Sequence, residues 1–193
     1  MGDQGNEDDL ALMAAVAAGD ESAFAKIVEK HQRAVLGTIA KMTNNSSDTE
    51  DIAQQVFIRL WKSAKRYQPT AKFTTFLFTI TRNLVFNETR KRSRRNEHSL
   101  DGQEDGWHQS IEDQNNHSRP DKSIEQNELR SVIDQAIAAL PEKQRLAVIL
   151  RRYEKMPYEE IADVLGLSIS AVKSQLFRAR TALREALEPY LKD

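Results

Sequence analysis

The sequence predicts an all-α protein of two small helical domains joined by a flexible polar linker. Apolar residues recur at three- and four-residue intervals through most of the chain, as they do along helices that bury one face. No alternating run rich in Val, Ile and Thr lies between turn residues, so strands are not expected. The helical pattern is lost only around residues 96–120. We therefore expect domains at residues 8–95 and 121–190, the second containing a helix-turn-helix.

The composition fits a globular protein and excludes several classes of site. The chain has 193 residues, of which 39% are hydrophobic and 30% charged. It has no Cys, which excludes disulfides, thiol nucleophiles and Cys-based zinc sites. No apolar run is long enough to cross a bilayer, and the acidic start of the chain is unlike a secretory signal. We expect a cytoplasmic protein without membrane insertion.

Four helices are expected in the first domain. The first covers residues 10–18 and stops at Gly19, and Asp20 is placed to cap the second. The polar cluster at residues 43–48 predicts a loop that ends in a cap for the third helix, and Pro69 breaks the pattern before the fourth. The residues expected to line the core are Phe24, Ile27, Val28, His31, Val35, Ile39, Ile52, Val56, Phe57, Leu60, Trp61, Ala64, Phe73, Phe76, Leu77, Ile80 and Leu84.

The segment between the domains has a different composition. Residues 96–118 are rich in Asn, Gln, Asp, Glu, Ser and Gly, which bury too little apolar surface to offset the entropy of ordering. Trp107 is its lone aromatic residue, either incidental or a docking point. The acidic residues here balance a basic block at 90–95, so the net charge of −1 hides local patches of both signs.

Helical periodicity resumes at Asp121, and Pro141 is expected in the first turn of the following helix. Residues 158–180 then predict a helix-turn-helix. Gly166 stands where the first helix must end in a left-handed residue, and Ser168 is a suitable N-cap for the second. The apolar residues expected between the two helices are Ile161, Ala162, Leu165, Val172 and Leu176.

In the second helix of this motif, hydrogen-bond donors and cations lie on the face that the apolar core residues do not occupy. Such a helix fits the major groove of DNA and matches guanine edges and phosphates. The alternative is an ordinary amphipathic hairpin with a solvated basic face. Because start, turn, cap and exposed face all agree, we expect DNA binding.

Four further segments resemble one family. They are residues 20–24 (DESAF), 51–57 (DIAQQVF), 73–83 (FTTFLFTITRN) and 140–145 (LPEKQR). Together with the helix-turn-helix, they resemble bacterial alternative sigma factors of the extracytoplasmic-function class, in order and over about residues 8–190. The resemblance implies a subunit that binds core RNA polymerase and promoter DNA, both duplex and single-stranded, with no cofactor.

The resemblance places the polymerase contact on the third helix. Asp51, Gln54 and Gln55 match positions that contact a basic coiled coil of the largest polymerase subunits. Their spacing puts them opposite the apolar stripe of that helix, so they should be exposed. Relatives usually have an acidic residue at Gln55. The alternative is an idle solvated face.

The fourth helix carries the residues expected to hold the opened minus-ten strand. Phe76, Asn83, Asn87 and Arg90 share one stripe, and aromatic, amide and cationic side chains suit single-stranded DNA. By resemblance, Asn83 and the loop at 68–72 form a pocket for an everted base, and Phe76 stands where relatives often have Trp. Phe76 is either a core residue or a stacking platform. The full set is Lys72, Phe76, Arg82, Asn83, Asn87, Arg90, Lys91 and Arg92.

The resemblance assigns the second helix of the helix-turn-helix to duplex minus-thirty-five DNA. The residues expected to face DNA are Ser170, Lys173, Ser174, Gln175, Phe177 and Arg178. Relatives often have Arg at Gln175. Gln prefers adenine as a bidentate partner, so promoter preference should differ there.

Two other classes of function are less consistent with the sequence. A repressor or activator using only the helix-turn-helix would need a ligand pocket or dimer face in the first domain. An enzyme would need a catalytic site, but the four His residues lack the spacing of metal ligands. No Gly-rich phosphate loop or nucleophile elbow occurs in the sequence. We expect no catalytic residue and no metal. Because no long extension follows the last helix, regulation by a separate anti-sigma protein is favoured.

Overall fold

The computed structural model describes residues 2–44, 47–99 and 120–190. These residues form eight α-helices: α1 (Gly2–Ala17), α2 (Glu21–Thr43), α3 (Thr49–Ser63), α4 (Phe73–Ser99), α5 (Pro120–Ala138), α6 (Glu142–Arg152), α7 (Tyr158–Leu165) and α8 (Ile169–Leu187). Short 3-10 turns cover Ala64–Arg66 and Glu188–Tyr190. Within these described ranges there is no strand. The all-α prediction is confirmed.

The N-terminal helix is longer than predicted. The sequence indicated a start near residue 10, but α1 begins at Gly2. Acidic side chains are favourable in the first turns of a helix because they face the positive end of its dipole. Asp9 is also buried, and its Oδ1 accepts a hydrogen bond from Lys30 Nζ at 2.6 Å. The polar start of the chain is therefore part of the packed structure.

The cap predicted for α2 is confirmed and that for α3 is wrong. Asp20 Oδ1 accepts hydrogen bonds from the N–H groups of Ser22 and Ala23, at 2.8 and 3.0 Å. Asp48 occupies the N-cap position of α3 but makes no capping bond. Its carboxylate accepts from the Arg92 guanidinium of α4 instead. A charge-assisted contact across helices has replaced the local one.

The core predicted for the first four helices is largely confirmed. Every apolar residue predicted for α3 is buried except Trp61, which is half-buried against the edge of Phe24 with 5.0 Å between ring centroids. His31 is buried as predicted, and its ring lies 5.2 Å from that of Phe73. Phe76 is half-buried.

The second half of the chain follows the predicted order. Helix α5 begins at Pro120, one residue before the predicted start. Pro141 is the N-cap of α6, with an extended ψ of 143°, and not its first helical residue as predicted. The exposed ring of Tyr153 faces Lys41, whose Nζ lies 4.5 Å from its centroid.

The two halves pack against each other through α2 and α4 on one side and α5, α6 and α7 on the other. Most of their buried apolar side chains form one continuous cluster. Arg145 of α6 donates from Nη1 to the carbonyl of Met42 at 2.8 Å. Thr89 of α4 donates to the Glu142 carboxylate, and Lys41 Nζ lies 3.3 Å from Asp134 Oδ1.

The expected linker lies mostly outside the described residues. This applies to residues 100–119, including Trp107. Helix α4 continues to Ser99 and so extends into the range predicted as linker, 96–120.

Candidate nucleic-acid interface

Helices α7 and α8 form the predicted helix-turn-helix. Gly166 follows α7 in the left-handed conformation, with φ 63° and ψ 44°, and its N–H bonds to carbonyls of the last turn. Ser168 Oγ accepts a hydrogen bond from the N–H of Ala171 at 3.2 Å, so the predicted N-cap is confirmed. Ile161 and Val172 are fully buried and join the two helices.

The six residues proposed for duplex DNA lie on α8. Ser170, Lys173, Ser174, Phe177 and Arg178 are exposed, and Gln175 is half-buried. Phe177 is 70% exposed, so its ring contributes little to the core. Ser174 Oγ donates to the Ser170 carbonyl at 3.0 Å, so this hydroxyl is already partly satisfied within the helix.

Helix α4 places Asn83, Asn87 and Arg90 on one exposed stripe. Asn83 Oδ1 accepts from Arg82 Nε at 3.1 Å and from Arg82 Nη2 at 2.6 Å. Arg82 therefore orients the Asn83 amide. Its own guanidinium reaches the helix-turn-helix, where a Cβ built on Gly166 would be 3.6 Å from Arg82 Nη1.

Phe76 lies beside this stripe but packs inward. Its ring centroid is 4.8 Å from that of Tyr67, and it contacts the buried cluster. The sequence left open whether Phe76 is a core residue or a stacking platform for a base, and this packing favours the core role.

Three of the cations proposed for the minus-ten strand have acidic partners within the protein. Lys72 Nζ lies 2.8 Å from Glu160 Oε1 of α7, and Lys91 Nζ lies 3.5 Å from Glu88 Oε2. Arg92 pairs with Asp48 as described above. Glu160 and Glu88 are only 14% and 21% exposed, so a phosphate that replaced either of them as the partner of its lysine would leave a half-buried carboxylate without that cation.

The residues proposed for polymerase and for single-stranded DNA share one groove. Asp51, Gln54 and Gln55 are exposed on α3, as predicted from their spacing. Two of them line a groove between α3 and α4 that sequence reasoning did not identify. Its polar and charged lining comprises Asp48, Asp51, Gln55, Arg59, Asn87, Glu88, Arg90, Lys91 and Arg94.

Arg59 and Glu88 are the charged residues of this groove that were not singled out from the sequence, whereas Arg94 belongs to the basic block at 90–95. Arg59 follows Gln55 by one helical turn, so its position on the same face was readable from spacing. The closeness of α3 and α4 could not be predicted from spacing, because it depends on tertiary packing.

Neither a metal site nor a membrane span is found where the structure describes the chain. Among residues 2–44, 47–99 and 120–190, no group of three His, Asp or Glu side chains could hold a metal ion. No described helix is both long and apolar enough to cross a membrane.

Comparison with known proteins gives matches along nearly the whole chain. Residues 27–95 match the Sigma-70 region 2 family, and residues 130–183 match the family described as Sigma-70, region 4. The RNA polymerase sigma-H factor of Pseudomonas aeruginosa is 31% identical over 188 residues, covering 97% of both chains. The ECF RNA polymerase sigma factor SigW of Bacillus subtilis is 30% identical over 88% of this chain and 91% of the relative.

A solved structure of similar fold is the sigma factor RpoE of Bartonella quintana in complex with the anti-sigma factor NepR. It has a TM-score of 0.68 and 23% identity, and covers 86% of this chain and 96% of that chain. This likeness concerns the fold.

Proposed function

Because the chain belongs to the extracytoplasmic-function family of RNA polymerase sigma factors, we propose that its two exposed DNA-facing helices read two elements of one promoter. Sigma factors are transcription initiation factors that bind core polymerase and direct it to promoters. The observation that carries the assignment of surfaces is the occurrence of two helix faces in one chain, an exposed face of amides and a cation on α4 and a face with exposed cations and a half-buried Gln175 on α8.

Helix α4 is assigned to the opened minus-ten strand. Asn83 and Asn87 present amides that can pair with the edge of an unstacked base, and Arg90 and Lys91 supply charge for the backbone. The hydrogen bonds from Arg82 hold the Asn83 amide in one orientation, which reduces the entropy lost on binding.

Helix α8 is assigned to the minus-thirty-five duplex. Lys173 and Arg178 are exposed cations that suit phosphates or guanine edges, and Phe177 offers an apolar contact to a thymine methyl group. Each good bidentate base contact contributes about 1–3 kcal/mol of discrimination.

Core polymerase is assigned to the exposed face of α3. Asp51, Gln54 and Gln55 offer one carboxylate and two amides to a basic partner surface. Since Asp51 and Gln55 share a groove with residues of α4, polymerase bound there would lie directly beside the captured strand.

Reading both elements together requires the two halves to separate. The names of the elements place them about 25 base pairs apart, roughly 85 Å of duplex at about 3.4 Å per base pair. In the structure α4 and α7 are in contact, and Lys72 is paired with Glu160. Residues 8–95 and 121–190 are therefore proposed to act as separate domains on promoter DNA, tethered by the segment between them.

We further infer regulation by a separate anti-sigma protein, no catalytic activity of its own, and action in the cytoplasm. RpoE of Bartonella quintana, which shares the fold, was solved with such an inhibitor. An inhibitor that stabilised the packed arrangement of the two halves would keep Lys72 and Arg82 engaged with the helix-turn-helix.

Reconstitution of transcription tests the proposal. Purified protein with core polymerase should produce discrete transcripts from a subset of genomic promoter fragments. Arg178→Ala should reduce promoter binding, whereas Arg184→Ala, an equally exposed arginine later in α8, should not. Absence of transcripts from every fragment, or of any affinity for core polymerase, would refute it.

A further inference from the structure

The N-terminal helix contacts both ends of the loop at residues 68–72. This loop connects the 3-10 turn Ala64–Arg66 to α4 and contributes Lys72 to the proposed minus-ten site. At its far end, Asn6 Oδ1 of α1 accepts the N–H of Phe73 at 2.9 Å, across 67 positions of sequence. A helix start is thus capped by a side chain from another helix.

This cap fills a need that the loop does not meet locally. The first N–H groups of a helix have no partner within it, and a side chain just before the helix usually accepts one of them. The residue just before α4 is Lys72. Its carbonyl accepts the first helical hydrogen bond, from the N–H of Phe76 at 3.2 Å. A lysine side chain has no acceptor, so Asn6 supplies one.

At the near end of the loop, α1 contacts the 3-10 turn Ala64–Arg66, which directly precedes Tyr67. Tyr67 precedes the loop, and its ring packs against Phe73 with 6.5 Å between centroids. Burial, reinforced by the negative charge of Asp9 in α1, raises the pKa of the Tyr67 phenol. The phenol therefore stays neutral at physiological pH.

Helix α1 is itself firmly attached to α2. Lys30 Nζ donates to Asp9 Oδ1 at 2.6 Å and to the carbonyl of Gly5 at 3.0 Å. His31 Nε2 lies 3.1 Å from the same Asp9 oxygen. The Gly5 carbonyl belongs to the peptide bond that joins Gly5 to Asn6, so these contacts fix the backbone from which the Asn6 side chain extends.

We propose that Asn6 is a positioning residue for the minus-ten pocket: by fixing the amide of Phe73, it sets where the loop at 68–72 ends and where α4 begins. This inference rests on the proposed function of α4. A base pocket discriminates only when its groups are held within about 0.5 Å of the right geometry. Loss of the hydrogen bond between Asn6 and the Phe73 N–H would allow the end of the loop beside Lys72 to move.

The test uses holoenzyme assembled from the full chain and core polymerase on one mapped promoter. The rate of open-complex formation is followed by permanganate reactivity of unpaired thymines, on the native template and on templates with single substitutions in the minus-ten element. The ratio between native and substituted templates is the informative quantity, because a lower amount of folded protein does not change it.

Asn6→Ala should lower the rate on the native template and reduce this ratio at least threefold. Asn6→Asp keeps an acceptor of the same length and should retain the ratio, whereas Asn6→Gln displaces the acceptor by one carbon and should lose it. Gln4→Ala, an exposed change in the same helix, is the matched control. If Asn6→Ala does not fold, Asn6→Gln against Asn6→Asp makes the same comparison.

Unchanged ratios for folded Asn6→Ala and Asn6→Gln, with only a lower melting temperature, would overturn the inference and leave the proposed function intact. Wild-type holoenzyme that opens no promoter would instead contradict the proposed function itself. A reduced ratio for Gln4→Ala as large as that for Asn6→Ala would also overturn the assignment to Asn6.

Discussion

Replacement of Arg145 by Met should destabilise the free protein substantially. The guanidinium donates from Nη1 to the carbonyl of Met42 at 2.8 Å and from Nη2 to that of Leu140 at 3.0 Å, and it also bonds to the carbonyl of Ala138. The carbonyls of Met42 and Ala138 lie in the last turns of α2 and α5, where no intrahelical donor is available, and that of Leu140 lies in the connection between α5 and α6. One side chain thus closes two helix ends and joins the two halves.

The expected loss is about 2–4 kcal/mol of unfolding free energy. A shielded carbonyl that loses its partner costs about 1–3 kcal/mol, and the side chains of Met42 and Leu140 are both buried. Removal of the cation returns part of this, because burial lowers the pKa of Arg145 and so disfavours its charged form. Met retains the apolar stem, which limits any cavity.

Urea denaturation followed by circular dichroism measures this loss. Lys143→Met, an exposed change on the same helix, should remain within about 0.5 kcal/mol of the wild type. A native-like Arg145→Met protein with a loss below about 0.5 kcal/mol would show that water satisfies these carbonyls, and the reasoning would fail.

Three further outcomes are expected. Phe177→Ala should leave thermal stability nearly unchanged, because the ring is 70% exposed, yet weaken holoenzyme binding to minus-thirty-five duplex by roughly tenfold, about 1.4 kcal/mol, in fluorescence anisotropy. Equal affinity would contradict the assignment of α8. Gly166→Ala should cost about 1–2 kcal/mol in urea denaturation, since φ is 63°; a neutral effect would mean that the turn relaxes. Burial raises the pKa of Glu154, so its charged form opposes folding once the pH exceeds the ordinary Glu pKa. Glu154→Gln should therefore raise the melting temperature at pH 7, with a difference from wild type that shrinks at pH 4; a constant difference would exclude a titration effect.

Helix order and most of the core could be predicted from sequence because they follow from local periodicity and capping. Gly166 and Ser168 show this, since left-handed ends and N-caps depend on residues within one turn. Asp48 shows the limit. It has the right side chain in the right place for a cap, but Arg92 competes for it across 44 positions of sequence.

Long-range partners explain the other differences. The spacing of Asp51 and Gln55 predicted their exposure, but not that α4 would bring Asn87 and Arg90 to the same groove. The pairing of Lys72 with Glu160 and the cap from Asn6 to Phe73 likewise join residues far apart in the chain. No local pattern encodes such pairs, because they depend on how helices pack.

If Lys72 binds the minus-ten strand as proposed, its ion pair with Glu160 competes with nucleic acid, so each half of the molecule opposes DNA binding by the other half. When a binding-competent form is only a fraction of the population, apparent affinity falls by that fraction. Under that assignment, copies that are not bound to core polymerase are handicapped on promoters, and copies whose two halves are held apart by polymerase are not. An excess of this protein over core polymerase would then add little promoter occupancy, because the amount of polymerase limits how many copies have their two halves separated.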